Sequence, residues 1–310
     1  MGAVDWQPQA IAPSAQWAAN AMSVDVEEYF QVSAFEEHVS FEQWTRLPSR
    51  VEASTDRILA IFELADIRAT FFTLGWIAER HPRLVRRIVD AGHEIASHGQ
   101  NHVRVINQNR SEFAADIRQA KEVLEQTSGT SVKGYRAASF SIGASNLWAL
   151  DELAEAGYRY SSSIYPGRHD AYGMPDAPRF AFLHRPNGLL EIPVTTVELG
   201  GRRWPCAGGG FFRLYPYAAT RAALRRVNLR DGQPALFYFH PWEVDPDQPR
   251  VPGLDWRRRT RHYLNIDRVE PRLRRLLSDF AWDRMDRVFM VDETTGSATG
   301  NSDNQWQHSA

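Results

Sequence analysis

The segment Gly92-His93-Glu94-Ile95-Ala96-Ser97-His98-Gly99-Gln100-Asn101-His102 contains the repeating unit from which the fold can be predicted. Gly92 is the residue type expected directly after a helix, and the preceding helix is predicted to begin at Pro82. Residues 94–96 form a short strand that leads into a polar stretch with two histidines. Residues four apart on a helical turn share one face, so His98 and His102 can converge on one ion. On spacing alone, a pair of surface polar residues is an equally good interpretation, because the chain has ten histidines.

The unit of a helix followed by a buried strand recurs along most of the chain. Strand and helix alternate six or seven times at a spacing of roughly 25–35 residues, which favours an α/β fold with a largely parallel sheet. The glycines at 208–210 lack the spacing of a phosphate-binding loop, and we expect them to form a flexible connector. The predicted strands are residues 21–26, 69–74, 94–96, 132–136, 158–162, 190–194 and 235–239.

Polar side chains of the types used in catalysis follow the ends of several predicted strands. The carboxyl ends of parallel strands meet at one edge of a barrel, which is where α/β barrels place their chemistry. An open doubly wound sheet should instead have a glycine-rich first turn, whereas this first turn is acidic. The residues at this edge are Asp25, Glu27, His98, His102, Arg136 and His240.

Composition excludes several classes of function. The net charge is −2 and the pI is about 6.6, which does not indicate a nucleic-acid partner or a polybasic membrane surface. The single cysteine, Cys206, excludes an internal disulfide framework and a multi-cysteine metal site. No signal peptide is seen at the start of the sequence and no stretch approaches the roughly 18 apolar residues of a membrane span, so we predict a cytoplasmic location.

The order of motifs resembles the polysaccharide deacetylases, the NodB-homology group of carbohydrate esterase family four, over residues 21–244. The first motif is Ser23-Val24-Asp25-Val26-Glu27, and the second is His98-Gly99-Gln100-Asn101-His102. The third is Tyr135-Arg136-Ala137-Ala138-Ser139-Phe140, and the last is His240 after an apolar strand. The sequence is most similar to the subgroup found with exopolysaccharide and exosortase loci, because residues 25–30 read D-V-E-E-Y-F and residues 237–243 read F-Y-F-H-P-W-E.

The resemblance implies a distorted (β/α)7-type barrel at residues 21–292, including a C-terminal helical extension from about residue 245. Residues 1–20 would be an N-terminal arm and residues 293–310 a disordered tail. It also implies that Glu27, His98 and His102 bind a divalent metal, with zinc expected and cobalt or nickel as alternatives.

The remaining motif residues receive roles from the same resemblance. Asp25 would be the general base, Arg136 would hold that base, and His240 would be the general acid. A backbone N–H near Ala137 would help to bind the oxyanion. The substrate would be a glycan that contains N-acetylhexosamine.

The sequence departs from the family pattern at four places. Val26 separates Asp25 from Glu27, where the common form has two adjacent aspartates. Side chains at i and i+2 of a strand face the same way, so Asp25 and Glu27 can both point inward, with Glu28 as the alternative third ligand. The three other departures are Gly99 where Ser or Thr is usual, Ala138 where Pro is usual, and Ser161 where Asp is usual, its work passing to Asp170 if that Asp matters.

The predicted function is therefore removal of N-acetyl groups from hexosamine residues of an exopolysaccharide or its lipid-linked precursor. Two alternatives remain at this stage: a small-molecule amidohydrolase on the same fold, and a non-catalytic glycan-binding homologue. The oligomeric state is not predicted. Five aromatic residues could stack on sugar rings or pack in the core: Tyr29, Phe30, Phe211, Tyr238 and Trp242.

Overall fold

The computed structural model describes residues 19–168 and 173–290. Residues 1–18 of the predicted arm, Asp170 and the predicted tail at 293–310 lie outside the described residues. The strands are β1 (Asn20–Val26), β2 (Thr70–Thr73), β3 (Glu94–Ser97), β4 (Gly134–Tyr135), β5 (Tyr160–Ser161), β6 (Phe182–His184), β7 (Leu189–Glu191), β8 (Thr196–Leu199), β9 (Arg202–Pro205), β10 (Leu236–Phe239) and β11 (Trp282–Asp283).

One curled sheet organises the molecule. Its strands lie in the order β10-β1-β2-β3-β4-β5-β7-β6, and β11 pairs with the start of β1. Every pairing along this path is parallel except β6 with β7. Seven parallel strands therefore form a half-barrel, which confirms the predicted α/β fold of the (β/α)7 type. Strands β8 and β9 form a separate antiparallel hairpin.

Ten helices surround this sheet in the described residues. Asn109 caps α4 through a reciprocal pair of hydrogen bonds with Glu112, and Gly129 ends it in a left-handed conformation. Pro82 occupies the first turn of α3, as predicted. The helices are α1 (Val51–Leu64), α2 (Gly75–Arg80), α3 (Pro82–Asp90), α4 (Arg110–Ser128), α5 (Trp148–Glu155), α6 (Gly209–Leu214), α7 (Tyr217–Leu229), α8 (Trp256–Tyr263), α9 (Val269–Asp279) and α10 (Met285–Phe289).

The two faces of the sheet bury different clusters, because successive side chains of a strand point to opposite faces. The larger cluster includes Val24 and Phe71 and packs beneath the surrounding helices. The smaller cluster fills the concave face, and Met285 and Phe289 of α10 belong to it. The buried members of this inner cluster are Ala21, Phe72, Ala96, Tyr160, Ala181, Ile192, Leu236, Met285 and Phe289.

The expectation of a flexible connector at residues 208–210 is wrong. Gly208 lies against β10, where an added Cβ would come within 1.7 Å of the Tyr238 carbonyl oxygen, and α6 begins at Gly209. Gly208 also forms a parallel bridge with Tyr238. The glycines therefore permit a close backbone approach and do not loosen the chain.

The C-terminal extension is part of the core. Strand β11 pairs with β1, and α10 contributes to the inner cluster below the site. Among residues 19–168 and 173–290, no helix is both long enough and apolar enough to cross a membrane.

Candidate metal centre and active site

Three potential metal ligands meet at the carboxyl edge of the sheet. Glu27, His98 and His102 each offer one ligand atom, and these atoms lie within 4.8 Å of one another. The His98 ring nitrogen Nδ1 lies 2.8 Å from the carbonyl oxygen of Arg136. A ring N–H donated to that carbonyl leaves Nε2 as the free ligand atom of His98.

The carboxylate of Glu27 fits a shared cation. Its Oε1 accepts a hydrogen bond of 3.1 Å from Trp242 Nε1. Its Oε2 is buried 2.9 Å from His102 Nε2, yet it has no hydrogen-bond partner among the described residues. A buried acceptor oxygen aimed at an imidazole nitrogen is costly by itself and is satisfied by an ion bound between the two.

The electrostatics of Glu27 and His98 suit metal binding as well. Burial raises the pKa of Glu27, but the neighbouring His102, His240 and His98 outweigh it and lower this pKa to about 2. Burial lowers the pKa of His98 to about 4. A carboxylate and a neutral imidazole are the forms in which these side chains bind metal.

Asp25 and Arg136 form a buried ion pair beside the three ligands. Arg136 Nη1 donates to Asp25 Oδ1 at 2.5 Å and to Ser23 Oγ at 2.9 Å. Arg136 Nη2 donates to Ser162 Oγ, and its guanidinium lies over the Phe72 ring at 4.0 Å. Arg136 is therefore held on three sides, and it fixes one oxygen of Asp25 while leaving the other free.

His240 completes the group from β10. Its Nε2 lies 3.6 Å from Glu27 Oε1 and 4.0 Å from Asp25 Oδ2, while Nδ1 lies 2.9 Å from Glu243 Oε2. Burial lowers the pKa of His240, but the surrounding carboxylates Glu27, Glu243 and Asp25 outweigh it and raise this pKa to about 9. The structure thus brings together all six residues that the sequence placed at one edge.

Glu28 has a different position from Glu27. Its carboxylate accepts hydrogen bonds from the backbone N–H groups of Arg50 and Val51 and from the Ser49 hydroxyl. Burial raises the pKa of Glu28. Glu28 therefore caps the start of α1, and Glu27 is the acidic residue that lies with the two histidines.

Gly99 and Asp116 support the turn between the two histidines. Asp116 Oδ2, on α4, accepts a hydrogen bond of 3.1 Å from the backbone N–H of Gln100. Gly99 has a φ of +80°, and an added Cβ would lie 2.9 Å from Asp116 Oδ2. The carboxylate of Asp116 thus occupies the space beside position 99 and braces this turn.

The other two departures lie close by. The Ser161 hydroxyl lies 2.8 Å from Ser163 Oγ, and the backbone N–H of Ala137 donates to that same Ser163 Oγ at 2.9 Å. The N–H of Ala137 is therefore already paired in this structure, and the binding of an oxyanion by a backbone N–H near Ala137 stays a prediction. Ala138 begins a 3-10 turn, Ala138–Phe140, in which Ser139 has a φ of +53°.

Three of the five aromatic residues proposed for sugar stacking are core residues. Tyr29, Phe30 and Trp242 are buried, and Trp242 stacks between the rings of His240 and His262. Phe211 and Tyr238 remain partly accessible. The Tyr238 ring packs edge-on against Phe140 at 4.9 Å.

Comparisons with known proteins identify the family that part of the chain resembles. Residues 39–161 match the family model described as polysaccharide deacetylase. The polysaccharide deacetylase family is therefore supported. Residues 162–290 match a second model, a domain of unknown function (DUF3473), so β10 and His240 lie outside the deacetylase match.

The curated relatives match only part of the chain. A peptidoglycan-N-acetylglucosamine deacetylase of Bacillus cereus is 34% identical over 82 residues, covering 26% of this chain and 30% of that protein. A peptidoglycan deacetylase of Helicobacter pylori is 27% identical over 113 residues, covering 36% and 38%. The chain thus spans about a third of the length of these relatives.

A solved structure shares the fold over nearly the whole chain. A crystal structure from Mycobacterium smegmatis, assigned to the polysaccharide deacetylases, covers 98% of this chain and 100% of its own, with a TM-score of 0.60 and 18% identity. At this identity the likeness concerns the fold. It extends through both matched segments.

Three residues of the site were missed by sequence reasoning. Glu243 follows His240 by three residues with Pro241 between them, a helix-capping pattern that could have indicated contact. Arg213 lies on α6 and Asp116 on α4, and each is separate in sequence from the motif that it contacts. No local signal marks these two, because their contacts depend on the tertiary packing.

Proposed function

We propose that this protein is a metal-dependent hydrolase that removes N-acetyl groups from hexosamine residues of a glycan. One observation carries the proposal. The candidate ligands Glu27, His98 and His102 lie within 4.8 Å of one another, directly beside the Asp25–Arg136 ion pair. This proximity supports a proposal in which a cation site, a carboxylate base and an acid histidine act together.

The ligand set of two histidines and one glutamate is typical of a catalytic zinc site with an open coordination position, with cobalt and nickel as alternatives. A divalent ion held there would polarise the acetyl carbonyl and lower the pKa of a nearby water. His98 is oriented for this by the Arg136 carbonyl, and Glu27 by Trp242.

Asp25 is the proposed general base. Arg136 holds Oδ1, so Oδ2 faces the reaction volume and takes a proton from the attacking water. The ion pair with Arg136 keeps the carboxylate charged and fixed in direction.

His240 is the proposed general acid. Its Nδ1 is engaged by Glu243, so Nε2 points into the site and gives a proton to the sugar nitrogen as the C–N bond breaks. The products are acetate and a free amine on the sugar.

The substrate class comes from the relatives, which are named for deacetylation of peptidoglycan or of chitooligosaccharides. We propose an N-acetylglucosamine-containing glycan, and more narrowly an exopolysaccharide or its lipid-linked precursor. The match to DUF3473 is consistent with the exopolysaccharide subgroup.

We also propose that residues 21–292 form one catalytic domain. The ladders of β1 support this, because β1 pairs on one side with β2 in the deacetylase match and on the other side with β10 in the second match. The inner cluster contains residues from both sides of that boundary.

The test is release of acetate from N-acetylglucosamine oligomers by wild type and Asp25→Asn, with and without a chelator. We expect wild type to release acetate, the chelator to abolish release, and zinc to restore it. Asp25→Asn should bind metal and release little acetate.

The same assay separates the alternatives. Hydrolysis of small cyclic amides but not of oligomers would replace the glycan substrate with a small-molecule one. Binding of oligomers by a metal-free protein without any release of acetate would overturn the enzymatic proposal.

A further inference from the structure

We propose that Glu243, held by Arg213, is the positioning residue that fixes the ring of His240. All three residues belong to the segment that matches DUF3473. The inference rests on the proposed deacetylase function. It adds two residues to the site and assigns a role to residues 162–290.

The contact between Glu243 and His240 is doubly made. Glu243 Oε2 lies 2.9 Å from the ring nitrogen Nδ1 of His240, and it also accepts the backbone N–H of His240 at 3.1 Å. Glu243 is buried in the 3-10 turn Pro241–Val244. One carboxylate oxygen thus holds both the ring and the backbone of His240, which selects the form with a proton on Nδ1 and aims Nε2 at the site.

Arg213 balances the buried charge of Glu243. Arg213 Nε lies 2.7 Å from Glu243 Oε1, and both side chains are buried. A second guanidinium nitrogen of Arg213 donates to the carbonyl oxygen of His262. A buried carboxylate with a cation on one oxygen and a histidine on the other has one low-energy arrangement, because rotating it would break both contacts.

The C-terminal extension holds Arg213 in turn. Arg272 Nη1, from α9, donates to the carbonyl oxygens of Phe212, Arg213 and Tyr215, and Asn265 Nδ2 also donates to the carbonyl of Arg213. These bonds fix the last turn of α6. The extension therefore supports the site through α6, Glu243 and His240.

The contact between Glu243 and His240 also explains why position 161 does not need a carboxylate. Position 161, where the resemblance led us to expect an aspartate, has a hydroxyl that pairs with Ser163. The carboxylate that contacts the acid histidine comes instead from Glu243, three residues after it along the chain.

The test compares wild type with Glu243→Gln, Glu243→Ala and Arg213→Gln in the full chain loaded with zinc. Glu270→Gln is the matched control, because Glu270 lies on α9 in the same segment and pairs with Arg57 and Arg274 at a distance from the site. Acetate release from N-acetylglucosamine oligomers gives kcat and KM, and metal content and thermal melting are measured for each protein.

A positioning role predicts a loss in kcat with little change in KM. We expect kcat to fall about 10- to 100-fold in Glu243→Ala, less in Glu243→Gln, which keeps an acceptor oxygen, with KM and zinc content unchanged. Glu270→Gln should match wild type. Full kcat in a folded, zinc-loaded Glu243→Ala protein would overturn the inference.

If wild type releases no acetate, the proposed function is overturned but the positioning role of Glu243 is not. A spectroscopic measurement then tests that positioning role directly. In protein with ¹⁵N-labelled histidine, the Nδ1 atom of His240, identified by comparison with His240→Gln, should be protonated and hydrogen-bonded in wild type, beside the proton on Nε2 that the general acid donates. Glu243→Gln and Arg213→Gln should shift or broaden that signal. An unchanged ring signal in both folded variants would contradict the positioning role, and both variants remain usable if Glu243→Ala does not fold.

Discussion

Two ends of the same concave face hold buried glutamates in opposite electrostatic settings. At the carboxyl edge of the sheet, Glu27 lies among three histidines, and despite its burial their charges lower its pKa to about 2. At the opposite end, burial and the nearby Asp286 raise the pKa of Glu94 to about 7. Thr70 and Tyr160 donate hydrogen bonds to Glu94. Similar burial therefore produces a fixed anion at one end and a proton-binding group at the other.

The two ends differ in which charged groups surround the buried carboxyl groups. At the carboxyl edge, positive partners converge on carboxylates that must stay ionised for the proposed chemistry. At the other end, Glu94 meets Asp286, and Arg284 pairs with Asp286 from the same short segment. Here the carboxyl groups join the C-terminal segment to the sheet. The predictions below act on one end at a time.

The largest effect is expected from the base at the carboxyl edge. Asp25→Asn removes the charge that accepts the proton and leaves Arg136 buried without its anion. We expect the rate of acetate release to fall about a thousandfold, in line with the contribution of general base catalysis. Steady-state kinetics on N-acetylglucosamine oligomers measure it. A variant that keeps more than a tenth of the wild-type rate, at equal zinc content, would remove Asp25 from the base role.

The next effect concerns metal affinity and distinguishes two adjacent glutamates. Glu27→Gln should weaken zinc binding about a hundredfold, because an amide replaces the anionic ligand at the cluster. Competition with a chromophoric chelator measures the affinity.

Glu28→Gln is the control for that experiment. It should bind zinc as wild type does and lose about 1 kcal/mol of unfolding free energy, because it weakens the cap of α1. Equal loss of zinc in both variants would show that Glu28 also contributes to the cluster.

At the opposite end the expected effect is on stability and its pH dependence. The folded-state pKa of Glu94 is about 7, above its reference value of 4.5, so folding takes up a proton. This stabilisation is fully present below about pH 4.5 and is lost as the pH rises through about 7, a change of about 3 kcal/mol. Glu94→Gln should remove that part of the pH dependence.

Denaturant unfolding of wild type and Glu94→Gln at pH 5 and pH 8 tests this. The variant should gain stability relative to wild type at pH 8. A constant difference between the two proteins across the range would mean that Glu94 does not titrate in the folded state.

The last effect is expected at the turn between the two histidines. Gly99→Ala puts a Cβ 2.9 Å from Asp116 Oδ2 at a φ of +80°. Gly129→Ala is a matched control, since Gly129 has a φ of +69° and open space around its added Cβ. We expect a loss of about 1–2 kcal/mol at each from the left-handed backbone, with the contact adding to the loss at Gly99 alone.

Chemical unfolding and zinc titration of both variants measure this pair. Only Gly99→Ala should also weaken zinc binding, because the turn carries His98 and His102. Equal losses and unchanged zinc affinity in the two variants would mean that Asp116 moves aside freely.

The sequence predicted the parallel sheet and the six residues at its edge because both follow from local pattern. Alternation along β1 placed Asp25 and Glu27 on one face, and the strand ends placed His98 and His240 at the same edge. Glu28 could not be separated from Glu27 by pattern alone. Its role depends on where α1 begins, and the structure places that start at Val51.

Arg213 and Asp116 could not be predicted from the sequence, for a physical reason. Arg213 contacts Glu243 through the placement of α6, and α6 begins in a glycine run that by composition indicates a flexible segment. Asp116 reaches Gln100 from the buried side of α4. Such contacts depend on how helices pack together. Helix periodicity indicates which face of a helix is buried, but not which residues that face will contact.

The position of β1 in the sheet has a consequence for how the protein is made. Strand β1 is synthesised first, yet its neighbours include β10 at residues 236–239 and β11 at residues 282–283. A chain that leaves the ribosome from its N-terminus therefore holds Asp25 and Glu27 without His240 until more than 200 further residues have been translated. The edge of the proposed site is completed only after β10 has been translated, so a chain truncated before β10 carries His98 and His102 but cannot assemble that site.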